Sequence, residues 1–384
     1  MISALNGLEL FGHEKGNIEV FHALRELGAK VCVGVNASDN GGAVGRHLQD
    51  LGFAIFPLPF RPQWSLQWLK KEGPMYGLRH LGAVWQCSRS FSREIRKFQP
   101  THIQLGSELA YSFLSLALAC HRRIPLIWRM GDCPPVESPF NFRIWKAGMG
   151  RTTRVVANSE YVRASAVAAG VDAQRISRIY NLAPMIPSGE SSKPPPLRDH
   201  EFAIMYVGAI SEHKGVMTLI DAFAKVVADH QGARLWLLGA SRWDGDFRTA
   251  VVARVQELGL ERFVFWAGQV TDVDGWFRWG SLHVCPSIWE EPSANVVMEA
   301  KRAGLPSVVF PSGGLPEMIR HGVDGYVCEE KTVESLTSAM NGMLANLERT
   351  KTMGVAARAD YEDRFGPERF RQEWAEIYTS TALP

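Results

Sequence analysis

The sequence predicts an α/β protein built from two doubly wound, Rossmann-like domains. Three observations carry that reading. Short apolar runs alternate with amphipathic stretches along most of the chain, as in parallel sheets covered by helices on both faces. The alternation breaks once, at residues 187–200 (PSGESSKPPPLRDH), where three consecutive prolines exclude a helix interior or a central strand. The length of 384 residues fits two domains at ~150 residues each. The domains are therefore read as 1–186 and 201–365, joined by a linker at 187–200 and followed by a helical segment at 366–384.

The elements follow in order. Few residues precede the first turn, so strand one is MISAL or shorter, and the natural chain is expected to start a few residues upstream. Ile18, Phe21, Leu24 and Leu27 give residues 17–27 a helical spacing that Gly28 ends. Residues 30–35, 102–105, 126–128, 155–157 and 176–179 read as strands, with a helix over 159–169. After the break, strands are expected at 202–207, 234–238, 264–267, 282–286 and 307–310, and helices at 216–230, 246–258 and 295–303. Phe370, Trp374, Ile377 and Tyr378 line one side of a terminal amphipathic helix over 367–379.

Composition removes several classes. An apolar share of 46% and a charged share of 21% are ordinary globular values, not those of disordered or coiled-coil chains. A net charge of +2 argues against a nucleic-acid binder. The longest apolar stretch, 109–120, is far shorter than the ~20 residues of a membrane helix. The N-terminal residues do not read as a signal peptide. No two of the six cysteines are closer than Cys120 and Cys133, so no zinc ribbon or thioredoxin-type pair is expected, and scattered thiols suit a reducing cytosol. The phosphate-binding glycine patterns GxGxxG and GxxxxGK[ST] and the zinc motif HExxH are absent.

The chemistry concentrates in residues 286–327, PSIWEEPSANVVMEAKRAGLPSVVFPSGGLPEMIRHGVDGYV. A strand ends at Pro286, a polar loop follows, and a helix starts near Asn295. Glu291 and Glu299 flank that start, one in the loop and one about a turn inside the helix. The amides of Ser293, Ala294, Asn295 and Val296 lie at or near the helix N-terminus, which favours an anion by ~0.3–1 kcal/mol per charge. Two readings stand at this level. A phosphate on the amides, with carboxylates accepting from sugar hydroxyls on either side, makes a nucleotide-sugar site. Alternatively, both glutamates are solvated and complement the helix dipole.

The segment closely resembles the ExxxxxxxE signature of glycosyltransferase family 4, retaining enzymes of GT-B fold with a cleft between the two domains. The matching pieces are PS, Glu291, Glu299, EA, AGLP, GGLPE and the GVDGYV hairpin end. The segments YVGAISEHKG (206–215), VVANSE (155–160), IYN (179–181), VFWAGQV (264–270) and FGPERFRQEWAEIYTS (365–380) follow the family's order, the last resembling a helix that crosses back onto the first domain. The resemblance implies roles by position. Lys214 would neutralise the donor diphosphate, Glu299 would hold the nucleotide ribose, and Glu291 would face the donor sugar. Residues 268–270, including Val270, would contact the base. Gly12, in FGHEKG (11–16), would let the first domain's backbone approach the diphosphate. The plain structural alternatives are a surface lysine, turn glycines and a helix-capping Glu317.

Three departures from the family pattern stand out. Ala209 sits where the family usually has arginine, Pro292-Ser293-Ala294 replaces its GFG, and Gly131 takes the place of a histidine while Asp132 keeps the following acid and Arg129 adds a cation. Residues 60–98 hold eight basic residues against two acidic ones, interleaved with Trp64, Trp68, Tyr76, Trp85, Phe91 and Phe98. That composition suits either a peripheral contact with anionic lipid or an ordinary helix pair with a solvated basic face.

The resemblance thus implies a retaining, metal-independent transfer of a sugar from a UDP- or GDP-linked donor to a glycan or lipid-linked acceptor in polysaccharide biosynthesis. The expected catalytic set is Lys214, Glu291 and Asp132. The expected donor-binding set is Gly12, Lys214, Val270, Glu291, Ser293, Ala294, Asn295, Val296 and Glu299. The expected location is the cytoplasm, with a peripheral position on the inner face of the membrane as the open alternative. A nucleotide-sugar epimerase and a GT-B partner protein that has lost transfer are the rival readings.

Overall fold

The computed structural model describes residues 1–10, 12–60, 74–183, 194–241 and 245–382. The chain divides into two compact units, one formed by 1–180 and 367–384, the other by 181–366. Residues 181–183, read from the sequence as part of the first domain, group with the second unit. Asn181 Nδ2 donates to Asn295 Oδ1 at 3.1 Å, and Arg302 donates to the Ala183 carbonyl at 3.0 Å. Residues 187–193 of the linker lie outside the described residues.

Unit 1 alternates β1 (Ile2–Ala4), α1 (Gly12–Glu26), β2 (Cys32–Asn36), α2 (Gly42–Asp50), β3 (Ala54–Leu58), α3 (Pro74–Phe98), β4 (Ile103–Leu105), α4 (Glu108–Cys120), β5 (Leu126–Met130), α5 (Pro139–Arg151), β6 (Arg154–Ala157), α6 (Glu160–Ala168) and β7 (Ile176–Arg178). Its seven strands run parallel in the order β3-β2-β1-β4-β5-β6-β7. Ser107 and Ser159 start α4 and α6 by accepting from the amides of Ala110 and Val162, each at 3.2 Å.

Unit 2 contains β8 (Phe202–Val207), α7 (Val216–Asp229), β9 (Ala233–Leu238), α8 (Gly245–Glu257), β10 (Val264–Gly268), α9 (Val273–Phe277), β11 (Gly280–Cys285), α10 (Asn295–Arg302), β12 (Ser307–Val309), β13 (Gly325–Val327), α11 (Val333–Leu344) and α12 (Leu347–Asp360). Its six parallel strands run β10-β9-β8-β11-β12-β13. Along β8, Ile204 and Tyr206 pack with Leu219, Phe223 and Met340 on one face. Ala203 and Met205 pack with Trp276, Phe277 and Ala300 on the other. Burial on both faces explains why the strand reads as an unbroken apolar run, and each large side chain so buried contributes roughly 1.5–3 kcal/mol.

Of the GVDGYV segment, expected as a hairpin end, Gly325–Val327 form β13 instead. It pairs parallel to β12 with Val308 opposite Tyr326, because a short helical turn at Pro316–Met318 carries the chain back before it re-enters the sheet. The last helix, α13 (Pro367–Ser380), belongs to unit 1. It buries Phe370, Trp374 and Ile377, and Arg371 reaches Glu26 of α1 at 2.9 Å.

Candidate active site

In unit 2 the site is built where β8 and β11 give way to loops. The Tyr206 hydroxyl donates to the Ala209 carbonyl at 2.6 Å and pins the turn after β8. The chain then reaches Lys214 and Gly215, just before α7. Gly215 is left-handed at φ 71, and a Cβ there would stand 1.9 Å from the Pro286 carbonyl oxygen. Only glycine allows that approach. The His213 carbonyl accepts from the amides of Ile288 and Trp289 at 3.0 and 3.1 Å, and from the Ser287 hydroxyl at 3.3 Å. The segment carrying Lys214 and the loop carrying Glu291 are thereby joined backbone to backbone.

Glu291 is buried, at 8% exposure. Its Oε1 accepts from Lys214 Nζ and, at 2.8 Å, from the Ser287 hydroxyl. Its carbonyl accepts from the Gly314 amide at 2.7 Å. Gly313, at φ 55, crosses so close that a Cβ would meet the Glu291 carbonyl oxygen at 2.3 Å. Its amide donates to Glu290, which also pairs with Lys331 at 2.5 Å. The Lys331 ammonium, with help from that amide, holds the Glu290 carboxyl below its ordinary range. Burial and the neighbouring Glu291 charge push the Cys285 thiol up to about 12, so it stays a neutral packing group. Glu317, expected to cap a helix, lies inside the short turn Pro316–Met318, which has no side-chain cap.

The loop leads into α10, whose cap residue Ala294 is extended and offers no side-chain acceptor. Asn295 and Val296 open the helix, and Glu299 is half-buried in its second turn. The Ser293 hydroxyl is buried without a hydrogen-bond partner among the described residues. In the last turn of α10, Lys301 is fully buried between Asp324 at 3.0 Å and Asp360 at 2.5 Å. Arg302 grips Asp274 of α9 with both contacts at 2.8 Å. These pairs fix the helix from its inner side. Beyond the carboxyl ends of β8, β9 and β10 lies a cavity of about 250 Å³ lined by Ala209, Gly239, Gln269, Val270 and Val273, among others.

Unit 1 holds the remaining two sequence-selected residues. Gly12 is the first residue of α1 and is exposed; Phe11, next to it, lies outside the described residues. Asp132 lines a second cavity, of about 170 Å³, with Asn6, His13, Glu14, Ser107 and Glu108. Arg129 lies buried beside it, its guanidinium against Gly16. Burial lowers Arg129 to about 10, while Asp132 and Glu14 act in the opposite direction. Burial, reinforced by Arg129, brings His13 down to about 4. Burial also raises Glu108, with Asp132 adding to the rise. Clustered perturbed groups of this kind mark functional sites.

The structure thus brings Lys214 and Glu291 into direct contact and sets Ser293, Ala294, Asn295, Val296 and Glu299 along one helix start. Val270 stands in a cavity wall, and Gly12 and Asp132 belong to the other unit. Sequence reasoning missed Ser287, His13, Glu14 and Glu108. Ser287 was visible as the PS before the loop, and His13 and Glu14 stood inside the FGHEKG already singled out for its glycine.

Residues 188–360 match the family model for glycosyl transferases group 1, and residues 12–183 match that for glycosyltransferase family 4. Spore coat protein SA of Bacillus subtilis is 28% identical over 182 residues, 46% of this chain and 48% of its own length. N-acetyl-alpha-D-glucosaminyl L-malate synthase of Bacillus anthracis is 27% identical over 182 residues, 47% of this chain and 46% of its own. The chain spans about half the length of the curated relatives it matches. Among solved structures, Anabaena HepE in complex with UDP superposes with a TM-score of 0.80 at 22% identity, over 99% of both chains. Sucrose-phosphate synthase of Thermosynechococcus elongatus gives 0.76 at 18%, over 99% of this chain and 98% of its own. These likenesses establish the fold as two parallel-sheet, Rossmann-like domains of the GT-B type.

Proposed function

The chain belongs to glycosyltransferase family 4, and we propose that it moves a sugar, with retention, from a UDP- or GDP-linked donor to a glycan or lipid-linked acceptor in polysaccharide biosynthesis. The observation that carries this reading is the Lys214–Glu291 pair, held by Ser287 in the loop that opens α10. A diphosphate arriving at the helix start draws Lys214 away from Glu291. The ammonium then meets the negative charge that grows on the leaving group as the glycosidic bond breaks. The amides of Asn295 and Val296 add to that stabilisation. Glu291, released, accepts from a donor-sugar hydroxyl, and Glu299 accepts from the ribose. The cavity beside Gln269 and Val270 receives the base, and charge on the diphosphate is carried by these groups without a metal ion.

Ala209, Pro292 and Gly131 favour a second reading, a family member that keeps the fold and has lost transfer. Incubating the protein with UDP-glucose or GDP-mannose alone, followed by proton NMR, separates the readings. Released nucleotide with the hexose appearing first in the donor's own anomeric form supports retention. The opposite anomer overturns it. An isomerised nucleotide-sugar with no free nucleotide identifies an epimerase. Donor that stays intact favours the inactive partner.

We further propose that the chain works in the cytoplasm with a peripheral membrane contact. Among the described residues no helix is long and apolar enough to cross a membrane. On α3, Leu81 is 66% and Trp85 54% exposed, and the Arg89 guanidinium lies 5.1 Å over the Trp85 ring. Apolar groups among cations suit an anionic lipid surface. The rest of the basic segment, 61–73, lies outside the described residues.

A further inference from the structure

A buried chain of amide hydrogen bonds ends at the unit 1 cavity. Asn17 Nδ2 lies 3.0 Å from the His13 carbonyl oxygen and 3.3 Å from His13 Nε2. A backbone carbonyl can only accept, so the Asn17 atom facing it is the nitrogen. Asn17 Oδ1 then faces away and accepts from Gln104 Nε2 at 3.3 Å, and Gln104 Oε1 accepts from the Tyr378 hydroxyl at 2.6 Å. Every link points the same way. Because Asn17 donates to it, His13 Nε2 carries a lone pair. The ring proton therefore sits on Nδ1, on the side of Gly131, where a Cβ would come within 3.3 Å of that nitrogen.

We propose that Tyr378, Gln104 and Asn17 form a relay that holds His13 as its Nδ1-protonated tautomer, and that this N–H binds a hydroxyl oxygen of a sugar ring in the cavity. The surroundings complete a polyol site. The carboxylates of Glu14, Glu108 and Asp132 accept from hydroxyls, and Trp128 and Trp145 contribute apolar wall. The volume of about 170 Å³ is below the ~300–1,000 Å³ of drug-sized pockets, so it takes one ring. Burial and Arg129 keep the imidazole neutral down to about pH 4. His13 therefore donates and does not serve as a base, and Asn17, Gln104 and Tyr378 are positioning residues. Tyr378 gives α13 a direct part in the site. The sugar assignment rests on the transfer reading; the tautomer does not.

Two-bond nitrogen–proton spectra of the full chain with isotope-labelled histidine rings test the proposal, with His13 assigned by its disappearance in His13→Gln. The wild type is expected to show Nδ1 protonation, and Asn17→Asp, whose carboxylate can only accept, Nε2 protonation. Tyr378→Phe, a milder change, is expected to give a mixture. Nε2 protonation in the wild type overturns the proposal. D-glucose is then expected to shift the His13 signals, with a dissociation constant at least ~10-fold weaker in Asn17→Asp, the equivalent of one lost hydrogen bond. UDP-glucose compared with UDP distinguishes a donor sugar from an acceptor sugar. A response to UDP at unit 2 with no His13 response to either sugar overturns the proposal and leaves the donor reading standing. A His13 response to D-glucose with no effect of UDP supports the proposal while the donor reading falls.

Discussion

Lys214 Nζ donates to Glu291 Oε1, which also accepts from the Ser287 hydroxyl at 2.8 Å. The pair comes from two segments 77 residues apart, brought together by the close passage of Gly215 against the Pro286 carbonyl. The cation is thus stored on the carboxylate that the proposal turns toward the donor sugar.

Lys214→Ala removes that cation and leaves Glu291 to Ser287 alone. Turnover of the donor is expected to fall at least ~100-fold, the scale of one lost leaving-group or oxyanion contact. Steady-state kinetics check this, and turnover within a few-fold of wild type contradicts the assigned role.

Gly215→Ala is expected to cost more than an ordinary glycine replacement. Alanine in the left-handed region loses ~1–2 kcal/mol, and here its Cβ also strikes the Pro286 carbonyl oxygen. Gly259→Ala is the control, at φ 66 with nothing within 4 Å. Urea unfolding is expected to show a clearly larger loss for Gly215→Ala, accompanied by loss of nucleotide binding.

Lys301→Met removes the fully buried cation between Asp324 and Asp360 and leaves the two carboxylates to Arg320, at 2.8 and 3.2 Å, and to Arg364, at 3.2 Å from Asp360. An uncompensated buried charge costs ~3–5 kcal/mol, and the two arginines that remain hold the cost to the lower end of that range. Chemical denaturation is expected to show a loss of that size, and a change below ~1 kcal/mol contradicts it.

Acid is expected to destabilise the protein through His283, which is buried against the Ser307 hydroxyl at 2.9 Å. Burial lowers its folded-state value from 6.5 to about 3. Between those values the unfolded chain binds the proton and the folded chain does not. Stability therefore drops as the pH falls through that window, by up to ~1.4 kcal/mol per pH unit. A series of unfolding curves across the window, compared with His283→Gln, is expected to show a flatter slope for the variant.

Anionic vesicles at low salt are expected to bind the wild type, and Trp85→Ala with Arg89→Ala is expected to weaken that binding. Co-sedimentation measures both, and absence of wild-type binding rejects the membrane contact.

Strands such as Phe202–Val207 were legible because burial on both faces leaves an apolar run with little alternative. β3 was not, since it lies at the sheet edge with Ala54 and Pro57 exposed, and edge strands tolerate proline and polar neighbours. α1 begins at Gly12, five residues before its apolar spacing becomes visible, because its first turn packs polar groups around a cavity and not into a core. Lys214, Glu291 and Glu299 were legible from one motif and its flanks. The unit 1 cavity was not, because Asn6, His13, Ser107 and Gly131 meet only once β1, β4 and β5 are adjacent, and no local pattern announces that meeting.

The most direct test of the donor site is thermal unfolding of wild type and Glu299→Ala with UDP, GDP, ADP and their sugar conjugates. A ligand at ~100 times its dissociation constant adds ~2.7 kcal/mol, a shift of several degrees at this size. Such a shift is expected for one base only, and it is lost in Glu299→Ala. No shift with any nucleotide, or an equal shift in the variant, contradicts it.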